Sequence, residues 1–400
     1  MTKAGLPHSN PASDASAAGS GPALRQFVVK VHSRCDLACD HCYVYEHADQ
    51  SWRGRPRVMS QDVVAQTAAR MAEHVIAHRL NTVHLVLHGG EPLLVGHTRL
   101  RRIAQEFRSA LDGLCRLDLR LQTNAVRLDE QFCEIFRAYD IKVGVSVDGD
   151  RTAHDRHRRF ADGRGSYDRV VGAVQLLQES RHRNSFAGIL CTIDLENDPL
   201  RTYETLLALD PPKIDFLLPH ATWNTPPPRS GPGATPYADW LITIAEQWFA
   251  AGCPVPVRLF DSVLSLLGGG PSLVESMGTD SVELVVVETD GTFEQADSLK
   301  IAYPGAPAMG MTVFSHSLDE VAAHPAMRKR RRGIAGLCTS CRSCSVVRMC
   351  GGGLYAHRFR AENGFDNPSV FCRDLKKMIS YFQDRPRLVR ASRQTDAERS

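Results

Sequence analysis

The sequence predicts an α/β protein whose first half is a partial (β/α)6 barrel of the TIM type, and three observations carry that prediction. From Arg25 onward, short runs rich in Val, Ile and Leu alternate with longer amphipathic segments, as parallel sheets require. Six such units can be read, too few to close an eight-stranded barrel. Each polar motif of this half sits where an apolar run ends, and in parallel barrels chemistry collects at the carboxyl ends of strands. A cysteine-dense extension follows.

Taken in order, residues 1–24 are rich in Ala, Ser, Gly and Pro without an apolar stretch, and read as a disordered tail, not a signal peptide. Phe27 to Val31 reads as the first strand. Ser60 is placed to cap a helix reaching His78, with Val63, Val64, Ala68, Met71 and Val75 on one face. Val83 to Leu87 is the second strand, ending in His88-Gly89-Gly90-Glu91-Pro92. A helix from Arg99 to Leu111 leads to strand Leu117 to Leu121, which runs into Gln122-Thr123-Asn124. A helix from Asp129 to Tyr139 precedes strand Lys142 to Val147, which ends at Ser146-Val147-Asp148-Gly149. The theme repeats with helix Tyr167 to Glu179, strand Phe186 to Ile193, helix Leu200 to Leu209 and strand Ile214 to Leu218, giving a barrel over 25–220. A proline-rich connector and helices at Tyr237 to Ala251 and Phe260 to Leu267 fill 221–280. A hairpin from Val282 to Phe293, turning at Asp290-Gly291, opens a cysteine-rich unit over 281–380. Residues 381–400 read as a flexible tail.

Hydrophobic content of 43% and charged content of 23% are those of a globular protein with a core. A net charge of +3 makes no case for nucleic acid or membrane as partner, and no apolar stretch approaches the length of a membrane span. The basic run Arg328-Lys-Arg-Arg-Arg332 reads as a solvated helix end. Twelve cysteines are too sparse for a disulfide scaffold, and their clustering in metal-like spacings favours the reducing cytoplasm. Cys115, Cys133, Cys191 and Cys253 have no partner at such spacing and read as buried small hydrophobes.

Cys35-Asp-Leu-Ala-Cys39-Asp-His-Cys42-Tyr43 places three thiols on the loop leaving the first strand, one ligand short of closing a tetrahedral site. Structural zinc usually shows paired thiols answered by a second pair, whereas the next cysteine here is Cys115. A compact Cys-x3-Cys-x2-Cys suits a [4Fe-4S] cluster with one iron left open, with a zinc or redox-thiol loop as the competing reading. These residues resemble the signature of the radical S-adenosylmethionine (SAM) superfamily. That resemblance implies that SAM binds the open iron and yields a 5′-deoxyadenosyl radical. It also implies that Gly89, Gly90 and Glu91 contact the methionyl amine, and it favours a SAM pocket built from Gln122, Asn124, Ser146 and Asp148 over plain turn chemistry. Arg158, in a stretch resembling the sulfatase-maturase and peptide-maturase branch, is open between a ligand contact and a surface ion pair.

The tail carries Cys338-x2-Cys341-x2-Cys344-x5-Cys350-Gly-Gly-Gly353 and, further on, Cys372. Five thiols on glycine-rich loops make a second metal site, iron-sulfur or zinc. The segment is similar to the SPASM extension, which implies an auxiliary [4Fe-4S] cluster on Cys341, Cys344, Cys350 and Cys372, with Cys338 as an extra thiol. Ala296 and Leu354 stand where that pattern has further cysteines, so its other cluster is expected to be absent or altered. Asp297, following Ala296, corresponds to a catalytic aspartate of sulfatase maturases and is open between a general base and an exposed loop residue. The whole arrangement, with Glu294-Gln-Ala-Asp-Ser-Leu-Lys300, resembles FxsB-type peptide maturases that build three-residue cyclophanes. This implies a ribosomally made precursor peptide as substrate and a flavodoxin- or ferredoxin-type electron donor. Formylglycine formation in sulfatases, and a non-catalytic metal-binding module, are the rival readings.

Overall fold

The computed structural model describes residues 23–385. Of the segment expected to be disordered, 1–24, all up to residue 22 lies outside the described residues, as does the flexible tail beyond 385, but Leu24 is fully buried and its amide donates to His74 Nε2 at 3.0 Å, so the ordered fold begins inside that segment.

Nine strands form one sheet in the order β6-β5-β4-β3-β2-β1-β7-β8-β9. The first six are the predicted ones: β1 (Gln26–His32), β2 (Thr82–Gly89), β3 (Arg116–Thr123), β4 (Ile141–Ser146), β5 (Phe186–Thr192) and β6 (Ile214–Leu217). Each is parallel to its sequence neighbour, so the sheet is a partial barrel open at β6. Helices α1 (Gln61–His78), α2 (His97–Leu111), α3 (Glu130–Ala138), α4 (Arg151–His157), α5 (Tyr167–Gln178) and α6 (Pro199–Ala208) connect them. Ser60 caps α1 as predicted, its hydroxyl accepting from the Val63 amide.

In β2 and β3, Val83, Leu85, Leu87, Leu117, Leu119 and Leu121 are buried, while His84, His88, Asp118 and Gln122 between them stay more accessible. Period-two alternation gives each strand one apolar and one polar face. The polar face positions the site.

Beyond the connector come α7 (Pro236–Ala250) and α8 (Arg258–Leu267), and then β7 (Leu284–Val287). β7 adds to the free edge of β1 in parallel, Phe27 opposite Val285, while β8 (Thr292–Glu294) and β9 (Ala308–Thr312) continue antiparallel. The predicted hairpin is therefore β7–β8, and it grows on the barrel's own sheet. The cysteine-rich part is built of short helices, α9 (Leu318–Ala323), α10 (Pro325–Arg330), α11 (Thr339–Arg342) and α12 (Val347–Cys350), closed by α13 (Cys372–Gln383). α13 carries ordered structure through residues 381–383, which the sequence assigned to a flexible tail. The basic run also differs from its expected solvated state. Arg330 is buried and donates to the Gln295 carbonyl and to Glu275, and Arg331 donates to the Val282 carbonyl. These guanidinium groups satisfy backbone oxygens that would otherwise be orphaned.

Candidate functional site

The cysteine loop leaves β1 and is pinned before it reaches Cys35. The Ser33 amide donates to the Arg57 carbonyl (2.9 Å), and the Arg34 guanidinium donates to the Trp52 carbonyl (2.7 Å). The loop then turns on itself, Cys42 N–H to Cys39 C=O at 3.1 Å. Side chains from other strand ends back it. Asn124 Nδ2 donates to Asp36 (3.0 Å) and lies 3.5 Å from Cys35 Sγ, and Arg127 holds the other Asp36 oxygen. Burial pushes all three thiols up, Cys39 to about 11. Neutral thiols become thiolates here only against a compensating cation.

Gly89 and Gly90 let backbone lie against backbone. The Gly90 amide donates to the His32 carbonyl at 2.8 Å, and a Cβ on Gly90 would stand 1.8 Å from Tyr45 Oη and 2.4 Å from the Arg34 carbonyl oxygen. Glycine lets the end of β2 lie against the start of the cysteine loop. Glu91 is turned inward, 1% exposed, and accepts from Thr123 Oγ1 (2.7 Å) and from the Leu93 and Asn124 amides (both 2.9 Å). Burial raises its carboxyl to about 7 in spite of those donors. Glu91 thereby clamps the ends of β2 and β3 together, beside the cysteine loop.

Asp148 is likewise committed. It accepts from Arg158 Nε (2.5 Å) and the Thr192 amide (2.9 Å). Its burial alone would raise the carboxyl, but Arg158, with His41 behind it, holds it at about 2. Arg158 is therefore no surface ion pair; it is braced beside Cys39, whose thiol it pulls down against burial. Gln122 and Ser146 meet each other across β3 and β4 (3.0 Å) on the polar face, half-buried.

Asp297 is not the exposed loop residue that one reading allowed. Its side chain is 13% exposed, Lys30 Nζ lies 2.6 Å from Oδ2, the Tyr43 hydroxyl is 3.5 Å from the same oxygen, and Oδ1 is buried without a partner. Its burial opposes ionisation, but Lys30 and then Lys300 hold the carboxyl below the usual carboxylate range. Around it lies a network sequence reasoning missed, in which Lys300 bonds Glu294 (2.9 Å) and Glu288 (3.0 Å), and Arg55 bonds Glu294 (2.6 Å). The signal was Lys30, a charge inside the apolar run Phe27 to Val31. Two further rings were missed. His220, half-buried, stacks on Tyr43 at 4.5 Å, and the buried His357 packs between His220 and Phe371, with both ring nitrogens unpartnered among the described residues.

The tail thiols come together as predicted. Cys341, Cys344, Cys350 and Cys372 line one cavity of about 200 Å³ with Gly352, Pro368 and Lys376. Cys338 precedes α11 outside that lining, close enough to Cys341 to push its thiol up beyond what burial does, to about 12. Arg358 fans across the carbonyls of Gly351, Gly352 and Gly353, closing the turn that carries Cys350. Ala296 is buried and Leu354 half-buried, so neither position offers a donor. Cys133 and Cys191 are buried as expected, whereas Cys115 and Cys253 are only half-buried.

Among the described residues, no trio of metal-capable side chains gathered within 4.8 Å is made of cysteines. A single zinc, with Zn–S bonds of about 2.3 Å, would draw its thiolates closer than that. Four thiols on one cavity of about 200 Å³ have the donor number and the room that a [4Fe-4S] cluster takes.

The radical SAM superfamily pattern matches residues 29–206. Over those residues the chain is similar to radical SAM enzymes. Such enzymes use SAM and a [4Fe-4S] cluster, and three thiols around an open position fit that cluster. The chain is 24% identical over 392 residues to a serine-type anaerobic sulfatase-maturating enzyme of Bacteroides thetaiotaomicron, covering 90% of this chain and 89% of that protein. It is 22% identical to the cysteine-type enzyme of Clostridium novyi, covering 89% and 94%. In fold it is similar to native anSMEcpe solved with AdoMet and the Cp18Cys peptide, with a TM-score of 0.79 at 20% identity over 92% of this chain and 99% of that one. It is also similar to Streptococcus suis SuiB bound to its precursor peptide SuiA, with a TM-score of 0.58 at 12% identity over 88% and 76%. No helix among the described residues is long and apolar enough to cross a membrane.

Proposed function

We propose that this enzyme modifies a ribosomally made precursor peptide, joining an aromatic ring to the β-carbon of a residue two positions on. The observation that carries the reading is Asp297, an ionised carboxylate fixed at one oxygen by Lys30, with its other oxygen buried and unpartnered beside Tyr43. In this reading Cys35, Cys39 and Cys42 hold the SAM-binding cluster, and Cys341, Cys344, Cys350 and Cys372 hold the auxiliary one. With SAM bound, Cys35, Cys39 and Cys42 would hold a cluster whose chemistry is the homolytic removal of a hydrogen atom from an unactivated carbon, here the β-carbon.

Joining the ring to that carbon requires that the ring lose a proton and one electron, and the site on Cys341, Cys344, Cys350 and Cys372 would accept the electron. Asp297 Oδ1 is placed to take the proton. Lys30 keeps that carboxylate charged until then, and Tyr43 and His220 wall the site against water. Gln122 and Ser146, on the polar barrel face, keep donors and acceptors for the cofactor's polar groups.

Formylglycine formation is the second reading, supported by the relatives named above. The buried Ala296 and the half-buried Leu354 speak against it, because thiols are expected there in such enzymes. The test incubates the reconstituted protein, SAM and dithionite with two peptides: one from a short reading frame beside the gene, the other a sulfatase segment containing Cys or Ser. Loss of two hydrogens from the first peptide, with no backbone fragmentation inside a three-residue window, supports the crosslink. An aldehyde on the sulfatase segment alone rejects it.

A further inference from the structure

The acid–base groups packed around Asp297 exceed what the proposed chemistry uses. Five carboxylates, those of Asp49, Glu288, Asp290, Glu294 and Asp297, share three cations, Lys30, Lys300 and Arg55. Lys300 Nζ lies 2.9 Å from Glu294, 3.0 Å from Glu288 and 3.6 Å from Asp49, and so fills the place a metal ion would take. With every acid ionised the group would hold more negative than positive charge, and uncompensated charge in a buried setting is costly. Glu294 is the acid best placed to stay protonated. It is 1% exposed, between Lys300 and Arg55, which is 2.6 Å away. Burial, and then Glu288, push its carboxyl up to about 7 against both cations. Asp297 is displaced the other way, held low by Lys30 and then Lys300. One oxygen each of Glu288, Glu294 and Asp297 gather within 4.8 Å of one another, a span that a single hydrogen-bonded bridge covers. A proton placed on Asp297 thus meets a stronger base directly behind it.

We propose that Glu294 is the proton acceptor behind Asp297, and that the proton Asp297 Oδ1 takes from the peptide passes on to the Glu294 carboxylate. The inference rests on the base assigned to Asp297 above. In the step an O–H bond breaks on Asp297 and one forms on Glu294, no electron moves, and Asp297 regains the charge that Lys30 holds. Glu294 must be ionised to accept, so the step needs a pH above its titration. The charged groups that face it are Glu288 after β7, Lys300 after β8 and Arg55 in the loop after β1. Lys30 on β1 and His88 on β2 stand beside Asp297, and Asp49 beside Lys300.

The test uses the reconstituted full-length protein with SAM, dithionite and the two peptides named above, each deuterated at the carbon that loses hydrogen. Product per deuterated 5′-deoxyadenosine is followed across neutral pH, so that changes in cluster reduction cancel. Infrared spectra of the same proteins read the protonated carboxyl of Glu294. Parent and the control Glu134→Gln, exposed on α3, should give a ratio that rises through neutral pH and levels off, with a carboxyl band that fades over the same range. Glu294→Gln should lose the band and the pH-dependent rise, and its product ratio on the high-pH side should fall at least about tenfold. Glu294→Asp, which keeps an acid in altered surroundings, should keep the rise at a shifted pH. A flat ratio in the parent, a rise that survives in Glu294→Gln, or an unshifted rise in Glu294→Asp would each overturn the acceptor. An aldehyde on the sulfatase segment with the same Glu294-dependent rise would refute the crosslink and leave the acceptor standing.

Discussion

The two cysteine sites are built by opposite means. The barrel loop holds three thiols, and polar side chains from other strand ends reach in behind them: Asn124 to Asp36 and Cys35, and the Asp148–Arg158 pair beside Cys39. The tail holds four thiols around one cavity by backbone turns, tied by Arg358 to successive glycine carbonyls, with the remaining cations facing out. Such polar shells orient ligands and tune a centre whose open position must take up and release a partner. A closed four-thiol basin needs only to keep its ligands in place. In the proposed reading, that difference separates a site for chemistry from a site for storing or passing an electron.

The largest expected effect removes one site and leaves the other. The Cys35→Ala/Cys39→Ala/Cys42→Ala protein should form no 5′-deoxyadenosine and hold about four irons per chain where the parent holds about eight, since each [4Fe-4S] centre carries four. The Cys350→Ala/Cys372→Ala protein should also lose about half the iron but still cleave SAM, without turning over peptide. Iron analysis with nucleoside chromatography reads both. Equal nucleoside loss in the two proteins would erase the proposed division of labour.

Next comes Arg158→Met, which leaves Asp148, 2% exposed, without its guanidinium partner. Breaking a buried pair from one side costs about 3–5 kcal/mol. The pH dependence has a definite sign. In the parent the Asp148 carboxyl sits at about 2, below the roughly 3.9 of an unfolded aspartate, so its contribution is present above that value and lost as pH falls. Without Arg158, burial is left as the dominant influence and raises the carboxyl. The melting-temperature gap between parent and variant should therefore be widest at neutral pH and narrow toward about pH 3. A gap that does not change with pH would mean that Asp148 is not the group left exposed to burial.

A glycine pair sharpens the same contrast. Gly90→Ala drives a Cβ into Tyr45 and the Arg34 backbone, and Gly351→Ala, at φ +59°, drives one to 1.6 Å from the Gly278 carbonyl oxygen. Each should cost about 1–3 kcal/mol. Gly90→Ala should weaken iron retention on the loop alone, and Gly351→Ala on the tail alone, as site-resolved EPR of the two reduced clusters would show.

Much of this was legible in the chain because both the barrel and the thiol sites are local. Six strands followed from hydrophobic runs, and both thiol sets from spacing. What sequence could not give depended on which distant groups meet. Glu91 and Asp148 read as cofactor contacts, and nothing in the chain shows that Thr123 and Arg158 also bond them. β7 read as the start of a separate unit, since its pairing with β1 spans more than two hundred residues of chain. Lys30 was visible as a misplaced charge, but its partner Asp297 could be found only in three dimensions.

The smallest expected effect concerns a clasp found only on the barrel loop. His157, at the end of α4, places Nδ1 2.8 Å from Asp40 and Nε2 3.2 Å from Asp194, so both nitrogens donate to carboxylates and the ring is held as imidazolium. The Asp194 hydrogen bond, with Asp40 behind it, raises its titration above the ordinary histidine value against partial burial. A raised folded-state value gives stability that is fully present below about pH 6.5 and is lost as pH climbs through that raised value. Asp40 is exposed, so the clasp is worth about 0.2–1 kcal/mol. Amide exchange in residues 36–46 of the metal-free protein should quicken as pH rises, after correction for intrinsic rates, and His157→Phe should remove that dependence. Exchange in residues 339–350, which have no such clasp, should follow the intrinsic rates alone in both proteins. If the two segments respond alike, the pH response belongs to the whole fold and the barrel loop has no lock of its own.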